Sequence, residues 1–498
     1  MKENLKVSPN LAENQEIIEN SFHSDVNKDI IIRRLTTPAG VKCLTVFIDG
    51  MADAVSVNDF VVRPLLLCKD KSFNKFNVLQ YTDCSKVSDF ETVIRRILKG
   101  DTAVFVDGDS NCAVCETKGF DRRSISSPLT EAVVKGSQEA FNENVRSNIT
   151  MMRRTVKSES LITEMIDVGK ISGEVCAVLY LADVTDKSLV DEVKRRLNSI
   201  DADYVSGSGM IEQMIGDSRW SVFPSVLTTE RPERACQYLN AGRVVIICDN
   251  SPFAVIMPVT FSEFLDSPEG NQQRWQSGTF SRLLRTFSFI CATLLSGIYI
   301  AVINFHQEML PSQLLLLIAQ SRAQIPFTSL MELIVMEIFF ELVREAGVRV
   351  PNAVGSAIGV VGGLILGSAA VDAGMVSPVT LIIVAISGLA NSVLPDYDFS
   401  FGIRIIKFAL IILGGTLGLY GVVFGVAATV MLLSGQKSLG FYYITPPFEG
   451  KTVSSNAFMQ MPLWKQPMRS KVLGKRRPRQ QADIARKWEK YDGRDGRN

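Results

Sequence analysis

Between Phe327 and Ala346 a stretch of helix-like sequence, otherwise apolar, carries Glu332, Glu337, Glu341, Arg344 and Glu345. At about 100° per residue, Glu337, Glu341, Arg344 and Glu345 fall on one stripe, and Glu332 falls well off it. Residues of these types at this spacing offer two kinds of chemistry. They can neutralise one another, because Arg344 follows Glu341 by three positions, where an ion pair forms. Alternatively the acids can attract cations, if water reaches them. Ionisable groups in hydrocarbon cost roughly 2.5–3.5 kcal/mol each on insertion scales, so the stripe must face protein, water or the headgroup layer. An interfacial or re-entrant amphipathic helix satisfies that requirement. So does a multimer whose carboxylates line a central aqueous path, in which Glu337, Glu341, Arg344 and Glu345 are the pore or gating candidates.

A second set of residues matters by what it lacks. Gly355, Gly359, Gly363 and Gly367 recur every four positions, with Gly362 beside them, so one helical face carries no side chains. In lipid, where helices associate by van der Waals contact, such a face lets backbones approach closely. Tight packing and a pore wall of exposed backbone are both consistent with it, and these four glycines join the gating candidates. Gly414, Gly415, Gly418, Gly421 and Gly425 repeat the device more loosely.

Elements that could position these residues are set by charge distribution. The chain has 498 residues and a net charge of +1, without the basic excess of a nucleic-acid binder. Only 13 of its 105 charged residues lie between positions 286 and 433, which separates a soluble part from a membrane part. Uncharged stretches at 286–307, 350–371, 373–395 and 408–433 reach or approach the ~20 residues needed to cross a bilayer. From residue 451 the tail holds 13 Lys and Arg against 4 Asp and Glu, including Lys475-Arg476-Arg477-Pro478-Arg479. Basic flanks stay cytoplasmic, and Arg282 and Arg285 precede the first stretch. Both ends inside require an even number of crossings: four with the acidic region re-entrant, or six if that region forms a hairpin with 309–325. Four is favoured. Beside a membrane the tail is expected to meet anionic lipid rather than nucleic acid.

The nine cysteines form no regular framework, so a disulfide-stapled secreted scaffold is not expected. Cys112 and Cys115 make a CxxC, but no second pair or neighbouring His completes a zinc site. Residues 1–30 are polar, expected to be loosely ordered, and carry no basic start leading into an apolar run, so insertion must come from internal segments. Residues 31–280 read as α/β. Short β-branched runs stand at Leu44–Ile48, Ala103–Val106, Ala177–Leu181 and Val244–Ile247, and Lys187–Leu197 is helix-periodic. The first and third runs resemble each other in sequence. The second and fourth both turn at Asp, at Asp107-Gly108 and Asp249-Asn250-Ser251-Pro252, types favoured in tight turns. The pattern is an internal duplication: two related small α/β subdomains, 31–165 and 166–280, then an all-α polytopic membrane domain, 281–435, and a basic tail, 436–498. No phosphate loop, metal cluster or nucleophile elbow is present, so an enzyme and a cofactor are not expected.

Thr229-Glu230-Arg231-Pro232, then Gly242-Arg243-Val244, Ser251-Pro252-Phe253 and Pro258, resemble the signature of the GerA family of spore germination proteins, A-subunit type. Further matching motifs are Glu131-Ala132-Val133-Val134-Lys135-Gly136 with Phe141 and Asn148, Tyr299, Phe305-His306-Gln307-Glu308, Pro311, Arg322, Pro326, Glu341 through Gly347, and Ile358 through Gly363, Ala370 and Ser377. The resemblance covers about residue 40 to about 447. It implies a multi-pass subunit of the spore inner membrane, with both terminal regions on the spore-core side, that acts with B- and C-type subunits as a nutrient germinant receptor. It implies assembly into a homo-oligomer, a pentamer, forming a ligand-gated cation channel. The nutrient pocket then lies largely in the B subunit, so no germinant-binding residue is assigned here. The stage V sporulation AF-type paralogue, which would amplify germination, shares this architecture, and a non-conducting scaffold or transporter subunit is the remaining alternative.

Overall fold

Strand-forming runs rich in Val, Ile and Cys organise the first part of the chain in this computed structural model. It describes residues 5–70, 75–81, 83–119, 127–133, 135–270, 272–349, 367–444, 460–466, 468–469 and 476–481. The chain divides into two compact units, Met1–Gly216 with Val226–Pro258 and Trp464–Asn498, and Asp217–Ser225 with Val259–Leu463.

In the first unit, β1 (Ile30–Thr36), β2 (Lys42–Ile48), β3 (Cys84–Val87), β4 (Thr102–Val106) and β5 (Cys112–Cys115) form an antiparallel sheet in the order β1-β2-β4-β5-β3. A second sheet is built from β6 (Leu161–Val168), β7 (Glu174–Leu181), β8 (Leu227–Thr229), β9 (Val244–Cys248) and β10 (Ala254–Met257), in the order β6-β7-β9-β10-β8. The two orders are the same, which is the duplication expected from the runs now found in β2, β4, β7 and β9. Gly108 and Asn250 each stand two residues past the matching strand, β4 or β9, and both have positive φ (84° and 55°). The shared Asp-containing turns therefore serve the hairpins, since Gly and Asn tolerate that conformation.

Continuous burial along Cys43–Ile48, rather than alternation, follows from cover on both faces of the first sheet. One cover is α1 (Leu11–Phe22), capped by the Asn10 side chain. Residues 11–22 were expected to be loosely ordered; Asn14, Ile18 and Phe22, four apart, bury one face of the helix instead. α2 (Phe90–Ile97) buries Phe90, Val93 and Ile97 beside it. Between the sheets runs α3 (Val145–Thr155), and α4 (Lys187–Asn198) buries the expected Leu189, Val190, Val193 and Leu197. α5 (Gly207–Ile215) and α6 (Pro232–Asn240) complete the second subdomain.

Arg153 of α3 is 1% exposed and meets Asp29 through Nε and Nη2 at 2.6 and 2.8 Å. Asn27, Ser158 and Thr163 supply the remaining hydrogen bonds. The pair thus ties the entry to β1 to β6 of the other sheet.

The second unit is helical: α7 (Trp275–Phe305), α8 (Ser312–Arg322), α9 (Ser329–Arg349), α10 (Pro378–Ser392) and α11 (Tyr397–Gly435). Among the described residues, α7 and α11 are long and apolar enough to cross a membrane. Of the expected spans, 286–307 lies almost wholly in α7. The one at 373–395 is the 15-residue α10, shorter than the roughly 20 residues a crossing needs. That at 408–433 is not one rod, because Gly418 takes φ 65° and ψ −149° inside α11. The chain folds back there, so a Cβ on Gly421 would collide with the Leu413 carbonyl and one on Gly425 would stand 2.5 Å from Leu410 Cδ2. Most of 350–371, including Gly355, Gly359, Gly362 and Gly363, lies outside the described residues.

Of the loosely spaced glycines of α11, Gly414 and Gly418 approach α7 and its end, Gly415 meets Leu330 of α9, and Gly421 and Gly425 meet the earlier half of α11 itself. A Cβ on Gly414 would lie 2.5 Å from the Gly297 carbonyl, and one on Gly297 would lie 3.1 Å from the Leu410 carbonyl. Close backbone approach at small residues is how helices associate where hydrophobic exclusion is absent. At one end of this pair Phe261, Phe264, Phe289 and Phe399 cluster with ring centroids 5.3–6.0 Å apart, within the range that favours aromatic pairs. That cluster fixes the middle of α7, at Phe289, against the start of α11, at Phe399.

Candidate functional site

Helix α9 is turned inside out relative to a helix of a water-soluble protein. Met331, Val335, Ile338, Phe339 and Leu342 are exposed, whereas Glu332 and Glu337 are 1% and 0% exposed. Leu333 and Met336 share the buried face and pack with Ile300, Val384 and Ile411. Apolar groups outward and charges inward is the arrangement that a lipid surround demands. Glu332 and the first acid of the stripe, Glu337, therefore face protein.

The stripe's partners come mainly from the first turns of α11. Glu337 Oε2 accepts from Lys407 Nζ at 2.5 Å, and its Oε1 accepts from Ser296 Oγ of α7 at 2.8 Å. Lys407 is 2% exposed. Glu341 Oε2 accepts from Arg404 Nη1 at 2.8 Å. The two helices run antiparallel along this seam, so four residues forward on α9 is three back on α11. At the other end, Glu332 Oε1 accepts from the Ser377 backbone N–H at 2.6 Å, at the start of α10, and Oε2 stands 3.6 Å from Arg322 Nε. Ser377, Thr380 and Tyr299 continue that end as a row of hydroxyls at 2.9 and 3.0 Å.

Satisfaction of these groups is uneven. Both oxygens of Glu337 are hydrogen-bonded, but Glu341 Oε1, Arg404 Nε, Glu332 Oε2, Arg322 Nε and the Asn391 carbonyl oxygen are buried without a hydrogen-bond partner. Asn391 reaches the same seam through Ser400, to which its Nδ2 donates at 2.9 Å. The row is tight at its centre and loose toward both ends. In a low-dielectric interior such loose polar atoms are costly, and they mark where the packing has alternatives.

The sequence-derived candidates are only partly gathered. Glu337 and Glu341 are in the row. Arg344 does not hold Glu341: its Nη2 donates to the Gly388 carbonyl at 3.4 Å and lies 3.5 Å from Ser392 Oγ, both on α10. The spacing rule named a pair within one helix, but Arg404 from α11 takes that carboxylate first. Glu345 is exposed at the end of the row. Glu332, set aside by its angle, is also buried, because α8 and α10 cover a second side of α9. Gly367 is buried, with Leu381 methyls 3.4 Å from where its Cβ would stand, and Gly355, Gly359 and Gly363 lie outside the described residues. Sequence reasoning missed Ser296, Arg322, Arg404 and Lys407. A signal existed for the last two: bases three apart, directly before an uncharged stretch, match acids four apart on an antiparallel neighbour.

Elsewhere, Cys115 of the CxxC is disulfide-bonded to Cys84, its direct partner across β3 and β5, whereas Cys112 is buried and not disulfide-bonded. Among the described residues no group of His, Cys, Asp and Glu could hold a metal. Described tail cations are engaged within the first unit: Arg469 donates to Asn240 O and Oδ1 at 2.6 and 2.8 Å, Arg477 pairs with Asp183 at 2.8 Å, and Arg476 donates to the Ala182 carbonyl. Two of the family-matching motifs, around Glu131 and Glu230, also meet in that unit. Glu230 Oε1 accepts from the N–H groups of Thr130 and Glu131 at 2.6 Å each. Arg231 donates to the Glu131 and Ser137 carbonyls, and Arg234 pairs with Glu131.

The family model described as Bacillus/Clostridium GerA spore germination protein matches residues 16–472. The chain is 33% identical to spore germination protein KA of Bacillus subtilis (strain 168), over 94% of this chain and 88% of that protein. It is 34% identical to spore germination protein GerLA of Bacillus cereus, over 89% of this chain and 91% of that protein. With spore germination protein A1 of Bacillus subtilis (strain 168) it shares 33% identity over 84% and 87%. Among solved structures, the N-terminal domain of the A subunit of the Bacillus megaterium spore germinant receptor GerK3 aligns with 52% of this chain and 98% of that chain, at 23% identity and a TM-score of 0.39. A family match over nearly the whole length, with relatives above 30% identity on both sides of the unit boundary, means that this chain belongs to the GerA family of spore germination proteins.

Proposed function

We propose that the chain is an A-type membrane subunit of a spore germinant receptor, non-enzymatic, that assembles with further copies of itself and with B- and C-type subunits in the spore inner membrane, both terminal regions on the core side. In this reading the oligomer, a pentamer, is a ligand-gated cation channel and the second unit carries the path. Relatives named as spore germination proteins support the role in germination. The observation that carries the conducting role is the fully buried Glu337–Lys407 pair with Ser296. A helix that only anchors has no use for a charge pair whose desolvation is scarcely repaid, so its retention points to a moving or conducting part. Tail cations beyond Arg469, Arg476 and Arg477 are left to meet anionic headgroups.

Deletion of the chain tests the reading. Spores lacking it should fail to release potassium when given a mixture of amino acids, sugars and nucleosides that triggers the parent, and re-expression should restore release. Undiminished release, or a purified full-length protein in lipid nanodiscs that stays a monomer, would count against it.

A further inference from the structure

Helix α9 carries three acids in a single row, Glu337, Glu341 and Glu345, four residues apart, and α11 opposes them with two bases, Arg404 and Lys407, three apart. At about 1.5 Å per residue the two spacings rise about 6.0 and 4.5 Å, a difference that long side chains bridge, so on antiparallel helices the row fits the bases in more than one way. In the present register Glu337 meets Lys407 and Glu341 meets Arg404. Displacing α9 by one turn, about 5.4 Å, would bring Glu341 to Lys407 and Glu345 to Arg404.

We propose that α9 is a two-register element, and that the one-turn displacement is the gating step of the channel; the proposal rests on the conducting role proposed above. Both registers keep Arg404 and Lys407 paired with an acid, while the displacement gives up the contacts of Glu332 with Arg322 and the Ser377 N–H, and packed interfaces switch between discrete arrangements rather than deforming continuously. What changes is the acid that lies beyond the two bases. In the present register it is Glu345, at the exposed end of the row. After displacement it is Glu337, which leaves Lys407 and moves to the level now held by Leu333, beside Ile300 and Tyr299. An uncompensated carboxylate there draws in water and a cation. The same movement thus opens the seam and makes its interior cation-selective.

Three features of the present packing suit such a movement. Glu341 Oε1 and Arg404 Nε, both left without hydrogen bonds, belong to the pair whose partners would be exchanged. Arg344 is held by α10 through contacts of 3.4 and 3.5 Å, long for hydrogen bonds and readily replaced. Phe340 rests on Gly388, where no side chain blocks its passage.

The two outer acids must then act with opposite sign. Spores carrying the whole receptor with E345Q should release potassium at least tenfold more slowly after the nutrient mixture, and E345D should restore most of the rate. E337D, whose shortened side chain weakens the present contact with Lys407 and keeps the carboxylate that the displaced register needs, should release potassium without nutrient. Membrane abundance of each variant is measured by immunoblot. Unaltered release in E345Q at normal abundance overturns the proposal, as does a change of the same sign in both variants. Where E337D fails to accumulate, E345K decides alone: a lysine opposite Arg404 must block release more fully than E345Q, and equal or wild-type release overturns the proposal. If deletion of the chain abolishes release while both variants behave as wild type, the register idea fails and the receptor reading stands; if release survives deletion, the receptor reading itself fails.

Discussion

Both units bury an acid–base pair, and they treat it differently. Arg153 and Asp29 make a two-pronged contact in which Asn27, Ser158 and Thr163 complete the bonding. Glu337–Lys407 and Glu341–Arg404 make single contacts, and the second leaves a carboxylate oxygen and a guanidinium nitrogen unmatched. A bidentate pair with every lone pair occupied has one arrangement. A monodentate pair next to a second acid of the same row has two. Burial alone does not separate a clamp from a switch; completeness of the hydrogen bonding does.

Removing one partner should break the first unit hardest. R153M leaves Asp29 enclosed without its base, which costs about 3–5 kcal/mol. The full-length protein in detergent should show its soluble-unit unfolding transition lowered or lost, read by near-ultraviolet circular dichroism. K407M in the second unit should cost less, about 2–3 kcal/mol for one uncompensated polar group, because a displaced α9 can move Glu337 away from the vacated site. The contrast sharpens with E337M/K407M, which should accumulate normally in membranes and yet lose nutrient-triggered potassium release. Equal losses of folding in R153M and K407M would erase the distinction between the two pairs.

How far the sequence could anticipate this differs between the units for physical reasons. Strand pairing in the soluble part follows from β-branched runs and Asp-containing turns, both local, so β2, β4, β7 and β9 were legible with their duplication. Edge strands were not: Ile30–Thr36 carries Arg33 and Arg34 amid its apolar positions and reads as polar. In the second unit the charged stripe was legible as a stripe, but its partners come from other helices. A periodicity argument sees one helix at a time, so it paired Arg344 with Glu341 and left Glu332 outside. Arg404 and Lys407 were excluded by starting the last span at 408, where the charges end; the helix itself begins at Tyr397. The fold-back at Gly418 is equally silent, since one glycine among five in the same apolar helix is not singled out by spacing, and glycine is frequent in membrane helices.

Packing contrasts follow the same line at smaller cost. G414A would set a Cβ 2.5 Å from the Gly297 carbonyl. Backbone cannot yield as a side-chain tip can, so α7 and α11 must separate, at about 1–3 kcal/mol for an overpacked site. Oligomer recovered after mild solubilisation should fall, with the soluble unit's unfolding transition unchanged. A fall in both readouts would mean that the units do not respond separately.

Exposed charge should matter least. On the outer face of α4, Glu192 meets Arg195 at 2.7 Å and Arg196 at 2.8 Å. Hydrogen bonds from Arg195 and then Arg196 hold its carboxyl down at about 2, below the 4.5 of an ordinary Glu. Because the folded value lies below the unfolded one, the stabilisation is fully present above pH 4.5 and is lost as pH falls toward 2. Solvent screening limits it to roughly 0.3–0.5 kcal/mol per pair. E192Q should therefore lower stability by a few tenths of a kcal/mol at pH 7 and by nothing measurable near pH 2, whereas R153M should destabilise the protein far more at pH 7. Urea unfolding of the full-length protein at pH 7 and at low pH reads both, and an E192Q effect as large as that of R153M would mean that exposure, rather than completeness of bonding, has been misjudged as the variable that ranks these pairs.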